Sequence, residues 1–223
     1  MANLITVVRL PLLVGIVLCL YSPSPILRLI TVPLLIVLIA MDSVDGIIAR
    51  RRGEESVLGS VLDIMADRVI ELVLWVVYAH LGLIPVAVPI IYIMRGITVD
   101  SLRNMGASEG TAPFKTLQTR LGAWLVGSPW MRSTYGVSKL ISFAGLAAAH
   151  TLAAYAARGV VSENTVSLAL TIFNVTTWIS VTFCLVRGLP VIIEHLAHHF
   201  SSSSAANSPS SNDGGDSAPP AGR

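Results

Sequence analysis

Charge is scarce in this chain. Only 13% of its 223 residues are Asp, Glu, Lys or Arg, about half the share of a typical soluble domain, which excludes an ordinary cytosolic enzyme and a disordered or fibrous class. The basic residues, fifteen against thirteen acids for a net charge of +2, are scattered rather than run together. The concentrated basic face that tracks nucleic-acid phosphates is therefore missing as well. Cysteine is nearly absent. Cys19 and Cys184 stand far apart in apolar stretches, so neither a disulfide framework nor a thiolate zinc site follows from them.

What the chain has in abundance is apolar sequence: 53% of its residues, with a mean hydropathy of +0.73. A membrane-spanning helix needs about 20 mostly apolar residues, and six stretches approach that length, near 5–22, 26–49, 57–81, 84–105, 135–157 and 163–189. Polar or helix-breaking sequence separates them: Ser22-Pro23-Ser24-Pro25, Arg50-Arg51-Arg52-Gly53, Gly82 before Pro85, a long polar loop from 105, and Arg158-Gly159. The expected fold is all-α, a polytopic membrane protein with six transmembrane helices and a cytoplasm-facing polar cavity. The first stretch lacks a basic leading region, is interrupted by Arg9 and has no Ala-x-Ala site before Pro23, so it is expected to stay as a helix and not to be cleaved as a signal.

Arg50, Arg51, Arg52, Arg103, Lys115, Arg120, Arg132 and Lys139 fall in or beside the loops on one side, whereas Arg28 and Arg158 fall on the other. The positive-inside bias then puts both termini and the basic loops in the cytoplasm, in an inner or plasma membrane. The expected division is a catalytic six-helix domain over 1–199 and a polar tail over 200–223. The tail's Ser, Ala, Pro, Gly and Asp composition predicts disorder.

Against this apolar background four acids cluster: Asp42, Asp45, Asp63 and Asp67. A charged side chain inside a bilayer costs on the order of 2.5–3.5 kcal/mol on insertion scales, so an intramembrane acid points to function. Spacings of three and four put each pair on one helix face, and the short connection after Arg51 predicts that helices two and three are antiparallel neighbours. Four facing carboxylates would repel unless cations sat among them. Oxygen ligands of this density suit two hard divalent ions, Mg²⁺ or Mn²⁺. Gly46, Ala49 and Gly59 clear space on the facing surfaces, and Arg50 can clamp an anionic oxygen.

The string Asp42-x-x-Asp45-Gly46-x-x-Ala49-Arg50, eight residues, Gly59-x-x-x-Asp63-x-x-x-Asp67 resembles the signature of the CDP-alcohol phosphatidyltransferases at every fixed position. The resemblance implies a membrane enzyme, dimeric in this family, that moves a phosphatidyl group from CDP-diacylglycerol to an alcohol in phospholipid biosynthesis and releases CMP. Carried over by position, it makes Asp42, Asp45, Asp63 and Asp67 the metal ligands. It makes Gly46, Ala49, Arg50 and Gly59 the CDP pocket, and Asp67 also the base that deprotonates the acceptor hydroxyl. Phosphoryl transfer is mainly positioning and charge neutralisation, which such a set supplies.

For the acceptor, Arg95 lies within an apolar helix, Arg103 two turns further on and Lys139 in the cytoplasmic part of span five. Three converging cations would take a phosphorylated alcohol, and glycerol 3-phosphate is the expected one. Asn3, Thr6 and Arg9 share one face of the first helix, in a pattern similar to the start of glycerophosphate-accepting members. An interfacial polar stripe accounts for them equally well. Phosphatidylglycerophosphate synthases, the nearest resemblance, usually show Asp-Pro-x-Ala-Asp-Lys and an Arg-Glu pair. This chain has Asp63-Ile64-Met65-Ala66-Asp67-Arg68 and Arg95-Gly96. Inositol phosphate or another polyol is the alternative acceptor; serine is disfavoured because the Phe-Gly-x-Ala-Pro run of the phosphatidylserine synthases is missing.

Other features have plainer readings. Arg51 and Arg52 are topology anchors, Arg68 and Glu71 an ion pair fixing a helix, and His195, His198 and His199 a helix end at the headgroups. Outside the class, an intramembrane prenyltransferase also uses acid pairs on a diphosphate, but on well-separated helices. A cation transporter would explain the acids without Arg50 or the small residues.

Overall fold

The computed structural model describes residues 2–52, 57–108 and 128–206. They form six helices and, among the described residues, no strand: α1 Ala2–Tyr21, α2 Pro25–Arg52, α3 Val57–His80, α4 Ala87–Ser108, α5 Pro129–Ala156 and α6 Glu163–Ala206. The polar loop from 109 to 127 and the tail from 207 lie outside the described residues. Ser201 to Ala206, read from composition as the start of the tail, continue α6. No proline follows Pro190 until Pro209, and an established helix propagates through serine at little cost.

The helix ends follow from the breakers. Pro25 opens α2 at the first helical position, where its missing N–H is no loss. Gly82 closes α3 in the left-handed region at φ +71°, with Leu83 N–H donating to Tyr78 O and Gly82 N–H to Ala79 O, the doubly bonded stop that favours glycine. Gly159 closes α5 in the same way at φ +74°, with Val160 N–H on Tyr155 O and Gly159 N–H on Ala156 O. Ser162 then caps α6 by accepting from Thr165 N–H.

Among the described residues the principal helix contacts close a ring in the order α1, α2, α5, α6, α4, α3 and back to α1. Among the described residues α2 and α3 each make their principal contact with α1; the side chains at the end of α2 where the two were expected to meet lie outside the described residues. The stripe Arg9, Leu13, Ile16 and Leu20 of α1 is buried, as are Leu35 and Leu38 of α2 and Ala66, Ile70, Leu74 and Tyr78 of α3. These three-and-four spacings are one helical face turned to the interior. Trp75 is the centre of an aromatic cluster. Its ring stacks on Tyr92 at 5.0 Å and tilts against Phe143 at 4.4 Å, while Tyr78 Oη donates to Phe143 O at 2.7 Å.

The outer surface is apolar too. Leu168, Ile172, Val175 and Ile179 of α6 are 47–62% exposed at spacings that form a continuous outward stripe, a patch larger than a protein in water normally shows. Two helical segments, Ser133–Ala156 and Glu163–Pro190, are long and apolar enough to cross a membrane. Val7–Tyr21 and Pro25–Met41 are apolar but shorter. Six transmembrane helices were expected; among the described residues there are six helices, two of them long and apolar enough to span.

Candidate active site

Helix α3 carries the described half of the acid motif. Asp63 and Asp67 are one turn apart, and their side chains are 45% and 53% exposed. Facing both is Arg9 of α1, whose own side chain is 1% exposed. Its Nη1 donates to Asp63 Oδ1 at 3.4 Å, and its Nη2 lies 3.8 Å from Asp67 Oδ1. Arg9 belongs to the buried stripe that continues through Leu13 and Ile16, so the packing of α1 aims the guanidinium inward, at the acids. One cation reaching two carboxylates shows that both face the same space.

The partners expected from α2 are Asp42, Asp45, Gly46, Ala49 and Arg50. All lie on that helix, but their side chains are outside the described residues. Gly59 sits half-buried on α3 one turn before Asp63. Among the described residues no three metal-ligating side chains cluster. Two of the four expected ligands are outside that set.

A second polar assembly begins one turn further along α3, at Glu71. This carboxylate is 3% exposed and is surrounded by donors. Lys139 Nζ lies 3.2 Å from Oε1, Tyr135 Oη donates to the same oxygen at 3.1 Å, and Arg68 Nη1 donates to Oε2 at 3.4 Å. Arg68 also reaches α4, its Nε 3.4 Å from Asp100 Oδ2. The Arg68–Glu71 pair expected from sequence is therefore present, and it ties α3 to α4 as well as to α5. Two cations flank the Tyr135 ring: the same Lys139 at 4.6 Å and Arg187 of α6 at 5.4 Å. Arg95 of α4 is within electrostatic reach of Tyr135 and of the buried Cys184. Its Nε is buried without a hydrogen-bond partner among the described residues.

Of the three cations expected to converge, Arg95 lies against Gly188 of α6 and Lys139 on Glu71; the side chain of Arg103 lies outside the described residues. Tyr135 and Arg187 were not anticipated. The signal for Arg187 was the same as for Arg95, a lone cation in an apolar helix. Tyr135 could have been found from its place one turn before Lys139 on α5.

The family model of the CDP-alcohol phosphatidyltransferases matches residues 1–205. The chain belongs to that family. The membership covers all six helices and assigns the reaction class, transfer of a phosphatidyl group from a CDP-alcohol to an alcohol acceptor. Together with the two apolar helices it marks the chain as a membrane protein. The family is generally dependent on divalent cations. A search of the curated proteins finds no match. With the family shown, the prenyltransferase and transporter readings fall away.

Proposed function

We propose that the chain transfers the phosphatidyl group of CDP-diacylglycerol to glycerol 3-phosphate and releases CMP, at the cytoplasmic end of six membrane-spanning helices. Asp42, Asp45, Asp63 and Asp67 hold two divalent cations, Mg²⁺ or Mn²⁺. The acid face of α3 supports this, because its hard oxygen donors lie within reach of a single guanidinium. The chemistry such ions supply is neutralisation of the diphosphate and polarisation of its phosphoryl oxygens. Gly46, Ala49, Arg50 and Gly59 line the cytidine nucleotide. The homodimer that the family resemblance implies is part of the same reading.

The observation that carries the acceptor assignment is the order of groups along α3. Asp67 and Glu71 are one turn apart, about 6 Å along the axis. The first faces Arg9, and the second is held by Arg68, Lys139 and Tyr135. An acceptor phosphate held by Arg95, Arg103 and Lys139 would present a hydroxyl of a three-carbon alcohol to Asp67. Asp67 takes the hydroxyl proton as the new O–P bond forms, and the bond between the phosphatidyl phosphorus and the CMP oxygen breaks. A phosphomonoester carries a charge of about −1.5 to −2 at pH 7, which those three cations would offset.

The test supplies purified protein with CDP-diacylglycerol, Mg²⁺ or Mn²⁺, and separately glycerol 3-phosphate, inositol phosphate, inositol and serine, and measures CMP. Release is expected with glycerol 3-phosphate and should stop on chelation of the metal. Asp67→Asn should abolish turnover while CDP binding persists. Release only with an unphosphorylated alcohol would reject the acceptor assignment, and a turning-over Asp67→Asn variant would remove the base.

A further inference from the structure

Gly188 lies inside α6, where glycine costs roughly 1 kcal/mol against alanine. It is buried, and its backbone is not in the left-handed region that would call for glycine. Gly15, Gly96 and Gly136 have open space where a side chain would go, and at Gly145 a side chain would meet the Phe173 ring. At Gly188 the space is taken by a cation. A Cβ there would lie 2.7 Å from Arg95 Nε, 2.8 Å from Cγ and 3.3 Å from Cδ. Carbon atoms in contact stand about 3.5–4.0 Å apart, so even one methyl group would force the Arg95 stem aside. The clash falls on the middle of the side chain, close to its anchor, where a small shift carries the whole guanidinium with it.

We propose that Gly188 is a specificity-determining positioning residue. Its missing side chain is the slot through which Arg95 of α4 crosses the face of α6 to reach the Tyr135–Lys139–Arg187 group, where it takes the anionic end of the acceptor. The inference rests on the reading of Arg95 as an acceptor-phosphate ligand. Two observations support it independently. The Nε of Arg95 is buried with no partner among the described residues, a cost the structure bears unless a ligand satisfies it. Cys184, one turn before Gly188 on α6, is buried, and Arg187 beside Gly188 stands 5.4 Å from the Tyr135 ring, so the slot adjoins the charged assembly.

The experiment is steady-state CMP release from the full-length protein in lipid nanodiscs, with CDP-diacylglycerol and glycerol 3-phosphate varied separately. Gly188→Ala is expected to raise KM for glycerol 3-phosphate about tenfold or more, with KM for the lipid donor within about twofold and kcat changing less than the acceptor KM. Arg95→Ala should raise the acceptor KM at least as far, and the double variant no further than Arg95→Ala. Equal shifts in both KM values, or a double variant worse than Arg95→Ala by the full Gly188→Ala factor, would overturn the proposal. If Arg95→Ala raises the acceptor KM and Gly188→Ala does not, only the role of Gly188 fails. If Arg95→Ala leaves it unchanged, the acceptor reading fails first and the proposal with it. Should Gly188→Ala not fold, the double variant must recover the thermal midpoint of Arg95→Ala. A double variant that stays unfolded shows that Gly188 serves helix packing instead and sinks the proposal.

Discussion

Glu71 is 3% exposed and charged, and three donors from two helices make that tolerable. Removing one partner of a buried ionic group generally costs roughly 3–5 kcal/mol, because the others are left without counter-charge. Arg68 keeps 29% exposure, so water compensates part of the loss, and Glu71→Ala should destabilise toward the lower end of that range. Glu71→Gln keeps an acceptor oxygen and the volume and should cost less. Thermal unfolding in detergent compares them, and equal losses would mean that volume matters and charge does not. Arg9 differs because its partners are half-exposed. Hydrogen bonds to charged groups contribute about 1.5–3 kcal/mol, and solvent screening at Asp63 and Asp67 lowers the expected loss for Arg9→Gln to about 1 kcal/mol. Arg9→Lys should fall between, since it keeps the charge but not the fork that spans two carboxylates. An Arg9→Lys variant less stable than Arg9→Gln in the same assay would contradict this account.

Helix α5 carries both kinds of interhelical contact that hold this bundle. Toward its start, Tyr135 and Lys139 bond Glu71 of α3. Further along, Gly145 lets the Phe173 ring of α6 lie against its backbone. In lipid, where apolar helices gain little from leaving their surroundings, close contacts of this kind and interhelical polar bonds supply the association energy. Gly145→Ala therefore overpacks the α5–α6 seam and should cost about 1–3 kcal/mol, with recovery when Phe173→Leu is added, as read from unfolding of the single and double variants. Additive losses would place the strain elsewhere. The extents of the helices show how far apolar runs report structure. Helix α5 starts at Pro129, ahead of the apolar run beginning near 135, and α6 passes well beyond 189. Hydropathy marks the part of a helix suited to lipid, whereas the helix itself continues until a breaker or a cap stops it.

Among the described residues most charged side chains gather toward one end of the helices. Arg9, Asp63, Asp67, Arg68, Glu71, Lys139 and Arg187 belong to one connected region. Arg28 bonds Ser22 O at the opposite turn, and Arg158 lies in the turn after α5. For the proposed topology, a background with Cys19→Ser and Cys184→Ala should be labelled by membrane-impermeant maleimide in intact cells at Ser162→Cys and protected at Gly53→Cys. The reverse pattern would invert the orientation.

The helices, and the described turns that end at Pro25, Gly82 and Gly159, were legible along the chain, as was the placing of Asp63 and Asp67 on one face of α3. Breakers act locally, and a carboxylate in an apolar helix is costly wherever the helix goes. The partnership of Arg9 with Asp63 and Asp67, the enclosure of Glu71 by α5, and the crossing of Arg95 over Gly188 were not legible. Each joins helices far apart in sequence, and such meetings depend on the order in which six faces share one interior. Placing α1 against both α2 and α3 decided which charges meet, and no local pattern records that order.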